Sequence, residues 1–538
     1  MTELSEATKN LILKYGLWQA SLKVKEGALT IHVDEVALKV AAFYEHVRTI
    51  VDWKEEHLMR RAAIIRKLKK RFQDLPQNST SLPGIGEWLV LDLIRGGYFP
   101  NDKIEESKIQ EVQHIIDKYV FILRNNIENK KTGTQLKYYD QLLEIASCEI
   151  EETLAPSQKE IALIDYMFEK MKERINVKKV IYERNLLKPE DKDIQIYIAV
   201  QQALFKFDEP IISYNLIRYK YPSWDNPSQE ELFKISQNID TILHTIETDL
   251  TCPLAKKFYK ICEKYDTAYL LIGDILAKEN FEKISQEIND PSILEGYIKT
   301  AYQKRLVDLK AKINRAAIYS ILSIFVTKIL TVIVLLIILS KILSQKFGWL
   351  SLVIDVFIPT ALMAFLVLSI KPPSKKNINI VVVEIMKIFY QKDKPDTYEV
   401  KISKKKGFIT TAILSLIYLL GACISFGFIF GVFKYIELDM PSIVINMVFI
   451  ALILFAGTAV QKRAKELTVE EESGGFLTFA SDILFLPVTG AGQWMSNKWK
   501  RYNAFSAFFN ALIDMPFSVF VEFIERWRYF IKEKKDEL

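Results

Sequence analysis

Between Ala316 and Val460 the chain carries four apolar segments of membrane-spanning length, and they come in two close pairs. They run over Ala316–Ser340, Trp349–Ile370, Phe408–Phe433 and Met440–Val460. The hydrocarbon core of a bilayer takes roughly 20 apolar residues of helix. Inside it every backbone amide must find a partner within the protein, which a helix does locally. The pattern predicts an all-α, polytopic membrane protein with two transmembrane hairpins, 316–371 and 408–460. It excludes a single soluble globule.

Composition supports a divided chain. Of 538 residues, 50% are hydrophobic and 26% charged, and these do not mix evenly. Residues 1–315 are dense in charge, whereas the rest is apolar with lysine-rich breaks. Lys304, Arg305, Lys310, Lys312 and Arg315 precede the first span. The 372–407 connection holds Lys375, Lys376, Lys387, Lys392, Lys394, Lys401, Lys404, Lys405 and Lys406, and Lys462, Arg463 and Lys465 follow the fourth span. The other two connections are short and poorer in cations. Retention of positive residues on the cytoplasmic side then places both termini and the central loop in the cytoplasm. The N-terminus shows no basic region leading into an apolar core, so no cleaved signal is expected. The net charge of +6 reflects these loops and gives no nucleic-acid footprint. Cys148, Cys252, Cys262 and Cys423 form no paired motif and read as reduced thiols.

Ahead of the membrane, residues 1–75 and 76–315 read as helices throughout. Apolar residues from Val40 to Phe72 recur at spacings of three and four, which is a helical stripe. The run Asp74–Gly86, with two prolines and two glycines, breaks it. Ser157-x-x-Glu160 has the spacing of a capping box, and Pro189, Asn226-Pro227 and Asp290-Pro291 mark further helix starts. The helix from about Ser292 is expected to run unbroken into the first span.

Few residues stand out chemically. Glu45-His46 and Glu56-His57 share a helix face but lie roughly 16 Å apart along it, too far for one ion. Gly84-Ile-Gly86 and Gly490-Ala-Gly492 lack the lysine and strand of a phosphate loop. No catalytic, cofactor or metal motif is present. Within the spans, Lys328 and Asp355 are intramembrane charges, costly unless paired and therefore the first candidates for function. Gly421, Ser425, Gly427 and Gly431 are small residues at helix-packing spacing. Arg60, Arg61, Arg66, Lys67, Lys69, Lys70 and Arg71 form the densest cationic cluster, a candidate contact for anionic lipid headgroups.

After the fourth span the tail, 461–538, stays aromatic. Asn510, Asp514, Ser518, Glu522 and Arg526 form one polar stripe on an otherwise apolar helix, as in an interfacial amphipathic helix. Trp494, Trp499 and Trp527 are its expected interfacial anchors. Gly474–Trp494 approaches span length, but Asp482 and Pro487 favour an interfacial or re-entrant piece. The final Lys535-Asp536-Glu537-Leu538 matches a lumenal retrieval signal, which the cytoplasmic placement argues against. A plasma or inner membrane is therefore expected over the endoplasmic reticulum. The expected function is a membrane-anchored scaffold whose cytoplasmic helical domain docks a protein partner, with lipids as the other partner and no cofactor or nucleic acid. The alternatives are a channel or transporter subunit using Lys328 and Asp355, and a membrane-bound enzyme acting on lipid.

Overall fold

The computed structural model describes residues 4–22, 29–33, 56–73, 83–125, 132–343, 349–370, 373, 376–390, 396–401, 407–438, 440–465, 467–468 and 476–501. Glu45-His46, the stripe before Glu56, the polar-striped tail and Trp527 lie outside the described residues. The chain is predominantly helical, as its periodicity predicts. In order the helices are α1 (Glu6–Ser21), α2 (Glu56–Gln73), α3 (Ile85–Arg95), α4 (Ser107–Asn125), α5 (Thr132–Leu154) and α6 (Gln158–Arg174). Next come α7 (Lys179–Glu183), α8 (Asp191–Phe205), α9 (Glu209–Lys220), α10 (Gln229–Leu250), α11 (Ala255–Leu276) and α12 (Phe281–Glu287). Last are α13 (Pro291–Leu343), α14 (Trp349–Leu368), α15 (Lys376–Phe389), α16 (Phe408–Tyr435), α17 (Met440–Ala464) and α18 (Phe476–Arg501). One small parallel sheet pairs β1 (Ile175–Val177) with β2 (Tyr398–Val400), Ile175 opposite Tyr398.

Helix starts follow backbone chemistry more closely than motif spacing. Ser157 begins α6 without a side-chain cap, so the spacing that suggested a capping box there does not form one. The reciprocal box is at Ser228 and Glu231, opening α10 just after Asn226-Pro227. Pro291 opens α13, where a missing N–H costs nothing.

Two apolar cores hold the N-terminal half. One gathers α2–α5, α9 and α10 around Leu89, Leu93, Tyr119 and Trp224. The other gathers α1, α6, α8, α11 and the start of α13 around Met167, Phe258, Tyr269 and Ile298. Helix α8 joins them, with Ile198 in the first core and Ile196 and Ala199 in the second.

The second core also contains chain from far beyond the first apolar segment. Val381, Ile385, Ile388 and Phe389 of α15, Val400 of β2 and Leu467 are buried in it. The 372–407 connection, lysine-rich and loop-like in sequence, thus carries a docked amphipathic helix and a strand. Most of the helix's apolar residues are buried, with Val383 exposed, and Lys376 and Lys387 on it are exposed. The chain start closes over the same helix: Leu4 bridges Tyr390, and the Ser5 amide donates to the Phe389 carbonyl at 3.0 Å.

Among the described residues, three helices are long and apolar enough to cross a membrane: α13 over Pro291–Ile333, α16 over Ile409–Tyr435, and α17 over Ser442–Ala464. The second expected span is α14, 20 residues long, whose stretch Val353–Leu368 forms a shorter apolar helix. Helix α13 is continuous for 53 residues, about 80 Å at helical rise, so one rod leaves the second core and enters the apolar bundle. Ile409, Ile413, Leu416, Leu420, Ile424 and Phe428 are exposed along α16. Apolar surface on that scale marks an interaction or membrane face.

Candidate functional site: a polar clasp among apolar helices

Lys328 on α13, Asp355 on α14 and Asn446 on α17 meet where these three helices pack, and all are buried, with exposures of 1%, 5% and 0%. Lys328 Nζ donates to Asn446 Oδ1 at 2.7 Å, and Asn446 Nδ2 donates to Asp355 Oδ1 and to the Ser442 carbonyl at 3.0 Å. An amide suits the middle position because its carbonyl accepts from an ammonium while its NH2 donates to a carboxylate. The ammonium also sits 4.4 Å from the centre of the Phe449 ring. Such a ring face offers a cation further stabilisation once water is gone.

The surroundings of this clasp are apolar. Met363, Val367 and Ile453, with Ile321, Ile324 and Leu362 against them, form a layer on one side. Ile443, Ile450 and Leu454, with Ile354, Ile358 and Met447, form another. The nearby hydroxyls of Thr331 and Thr360 are turned onto their own helices, bonding the Thr327 and Val356 carbonyls at 2.8 Å. A conduction path needs polar groups in series, whereas among the described residues the side chains packed around this trio are apolar.

Sequence reasoning singled out Lys328 and Asp355 but missed Asn446. The missed signal was depth: Asp355 and Asn446 each lie six residues past the starts of their helices, Trp349 and Met440. Two helices entering from the same side therefore bring these residues to one level.

The small residues divide. Pro487 lies inside α18 and has no N–H, which leaves the Ile483 carbonyl without its intrahelical donor. Helix α16 meets this break with Gly421, where a Cβ would lie 2.9 Å from the Ile483 oxygen. The Ser425 hydroxyl is 2.6 Å from the neighbouring Leu484 oxygen and 2.8 Å from its own Gly421 oxygen. Gly427 and Gly431, by contrast, have open space around them. Gly492, one of the glycines unassigned from sequence, lets α18 close onto α17, since a Cβ there would run into the Ala451 carbonyl. Trp494 is exposed, while the side chains of Trp499 and Trp527 lie outside the described residues.

The cationic cluster of α2 is engaged within the domain. Arg61 pairs with Asp208 at 2.7 Å and donates to Cys148 Sγ at 3.3 Å. Arg60 reaches Glu151 at 3.5 Å and the Tyr98 carbonyl at 3.0 Å, and Arg66 donates to the Tyr98 hydroxyl at 3.1 Å. Lys67 pairs with Asp92, Lys69 with Asp140, and Arg71 lies over the Trp88 ring. Lys70 is exposed. Burial pushes the Glu151 carboxyl up to about 7 against the opposing pull of Arg60 and Arg61. Headgroups would have to compete with these internal partners, a contest the sequence could not show.

At the junction of domain and bundle, Arg174 of α6 pairs with Glu384 of α15 at 2.9 Å, with side-chain exposures of only 5% and 8%. Asn377 Nδ2 donates to the Tyr302 hydroxyl at 2.9 Å and to the Leu467 carbonyl, tying α13, α15 and the segment after α17 together. Arg305 of α13 pairs with Asp274 of α11. Among the described residues, no cluster of histidine, cysteine and carboxylate side chains could hold a metal. Comparison with protein-family models, curated proteins and solved structures finds no match for this chain.

Proposed function

We propose that this is a membrane-anchored docking platform, whose N-terminal helical domain presents a partner-binding surface on the cytoplasmic side of the membrane. The observation that carries the reading is the shared core: α15 and Leu467, which flank the apolar helices in sequence, are buried in the domain with α13. A domain meant only to be tethered needs one linker, whereas this one is gripped at three points along the chain. Such fixation suits a surface that must keep its orientation to the membrane. The clasp of Lys328, Asn446 and Asp355 serves the same end by holding α13, α14 and α17 in one register.

The competing reading, a transport subunit working through Lys328 and Asp355, draws on the same trio. Full-length protein in sealed liposomes separates the two. The platform reading expects proton and cation flux no greater than in empty liposomes. Flux that disappears in Lys328→Met would overturn it. A photo-crosslinker at exposed Phe233 or Leu17 should yield one defined partner adduct in cells, lost when Arg174→Ala loosens the domain. The 1–315 fragment alone is unsuitable, because part of its core lies at 381–400 and Leu467.

A further inference from the structure

We infer that Lys310, Lys312 and Arg315 of α13, with Lys462 and Arg463 at the end of α17, form a collar that binds the headgroups of anionic phospholipids at the domain edge of the bundle. The inference rests on the membrane reading above and adds to it a lipid class and the residues that hold it.

Register brings the five residues to one level. Lys328 of α13 meets Asn446 of α17, and Ala317 and Ile321 share an apolar layer with Ile453 and Ala456. Further toward the domain, Asn377 bridges the Tyr302 hydroxyl and the Leu467 carbonyl. Residue numbers fall along α13 as they rise along α17, so the two helices run antiparallel. Counted from the Lys328–Asn446 contact toward the domain, Lys312 and Lys462 are each 16 residues away, or about 24 Å at helical rise. Lys310, Arg315 and Arg463 fall within about 5 Å of that level. Cations some 150 positions apart in the sequence therefore make one band.

The band lies on a boundary. On its domain side Leu309 is buried in the second core. On the other side Ala317 joins the bundle layer, and Ile318, Leu322 and Phe325 are exposed. The apolar run of α17 from Met440 to Val460 rises about 30 Å, the thickness of bilayer hydrocarbon. A slab of that thickness laid over the exposed apolar surface ends where the cations begin, which puts them among headgroup phosphates.

The charges of this band are also uncommitted. All five side chains are exposed, and among the described residues none of them is held by an ion pair or a side-chain hydrogen bond. Asp308 is the one carboxylate on α13 between Arg305 and the apolar stretch, and it lies on the domain side of the band. Arg61, Lys67 and Lys69 of α2, by contrast, already have carboxylates of the domain as partners. A lysine or arginine close to an anionic bilayer surface strengthens attachment by roughly fivefold. Five of them in one band select anionic over zwitterionic lipid, and the headgroup contact expected of α2 passes to the collar.

The test titrates full-length protein in detergent with phosphatidylglycerol or phosphatidylcholine and counts bound lipids by native mass spectrometry. Wild type should favour phosphatidylglycerol. Lys310→Gln/Lys312→Gln/Arg315→Gln and Lys462→Gln/Arg463→Gln should each cut that preference by roughly fivefold or more, and all five changes together should abolish it. Lys69→Gln/Lys70→Gln in α2 should leave it unchanged, and thermal melts in the same detergent check that every variant is folded. No preference in wild type, a preference that survives the five changes, or one that the α2 variant removes as fully, would overturn the collar and leave the membrane reading standing. Displacement of the bound lipid by glycerol 3-phosphate at equal concentration would mark a soluble-anion site and overturn it too. A protein that retains neither lipid and stays in solution once detergent is removed would sink the membrane reading and the collar with it.

Discussion

Removing the Glu384 carboxylate tests whether α15 is held in the domain by chemistry or by connectivity alone. Glu384→Ala leaves Arg174 as a buried guanidinium without its charge partner, 2.9 Å from where the carboxylate lay. Loss of one member of a buried ion pair costs about 3–5 kcal/mol, mostly as desolvation of the charge left behind. The double variant Arg174→Met/Glu384→Leu removes both charges and keeps volume, and should recover most of that loss. Hydrogen exchange in detergent or nanodiscs reads the consequence directly, because the amides of Val381, Val382 and Ile385 exchange when α15 undocks. At about 1.4 kcal/mol per factor of ten, Glu384→Ala should speed their exchange by roughly two to three and a half orders of magnitude. Amides in the other core, at Leu89 and Leu93, should change little. Equal exchange in wild type and Glu384→Ala, or a double variant worse than either single change, would refute the idea that the pair fastens the helix.

Other expectations follow from the same geometry. Asn446→Leu should lower thermal stability in detergent by several kcal/mol, because it strands an ammonium and a carboxylate among apolar side chains; the triple change Lys328→Met/Asp355→Leu/Asn446→Leu should restore it, as a thermal melt would show. Gly492→Val should disrupt the packing of α18, since the Ala451 backbone cannot move aside, whereas Gly427→Ala should be neutral or stabilise by up to about 1 kcal/mol in a helix with open space at that position. Burial lifts Asp266 to about 7, with Lys206, 3.6 Å away, only partly opposing it. The folded state then keeps a proton that the unfolded chain releases, so this contribution is full below about pH 4 and is lost as pH rises through about 7. Asp266→Asn should flatten that part of the stability profile between pH 4 and 8, while Glu151 supplies a remaining slope of the same sign.

The long apolar helices and their charges were legible because hydrocarbon imposes a simple rule on composition. Lys328 and Asp355 broke that rule visibly. Asn446 did not, being uncharged and alone in an apolar helix, yet it completes the contact between them. Helix periodicity also marked α2 and the continuity of α13. What stayed hidden depends on contacts between distant parts of the chain. The seat of α15 depends on surfaces of α11 and α13, and nothing in its lysine-rich flanks announces a core helix. The basic residues of α2 looked free because their carboxylate partners, Asp208, Glu151, Asp92 and Asp140, are scattered along the sequence. Pro487 looked like a reason to expect an interfacial or re-entrant piece, and only the packing of Gly421 and Ser425 shows how α16 accommodates the break.

The burial of α15 in the domain core also dictates an order of manufacture. Ribosomes deliver residues 1–309 first, but Val381, Ile385, Phe389 and Val400 emerge only after α13 and α14 have been made. Until then, the faces of α11 and α13 that receive α15 lack their cover. Domains generally fold as units during synthesis, but this one has to wait for α13 and α14. If α13 and α14 insert in a membrane, as the proposed function has it, a chain that fails to insert them also fails to finish its N-terminal core. Insertion and folding would then be checked in a single event, and a misinserted molecule would be recognisable by its open core.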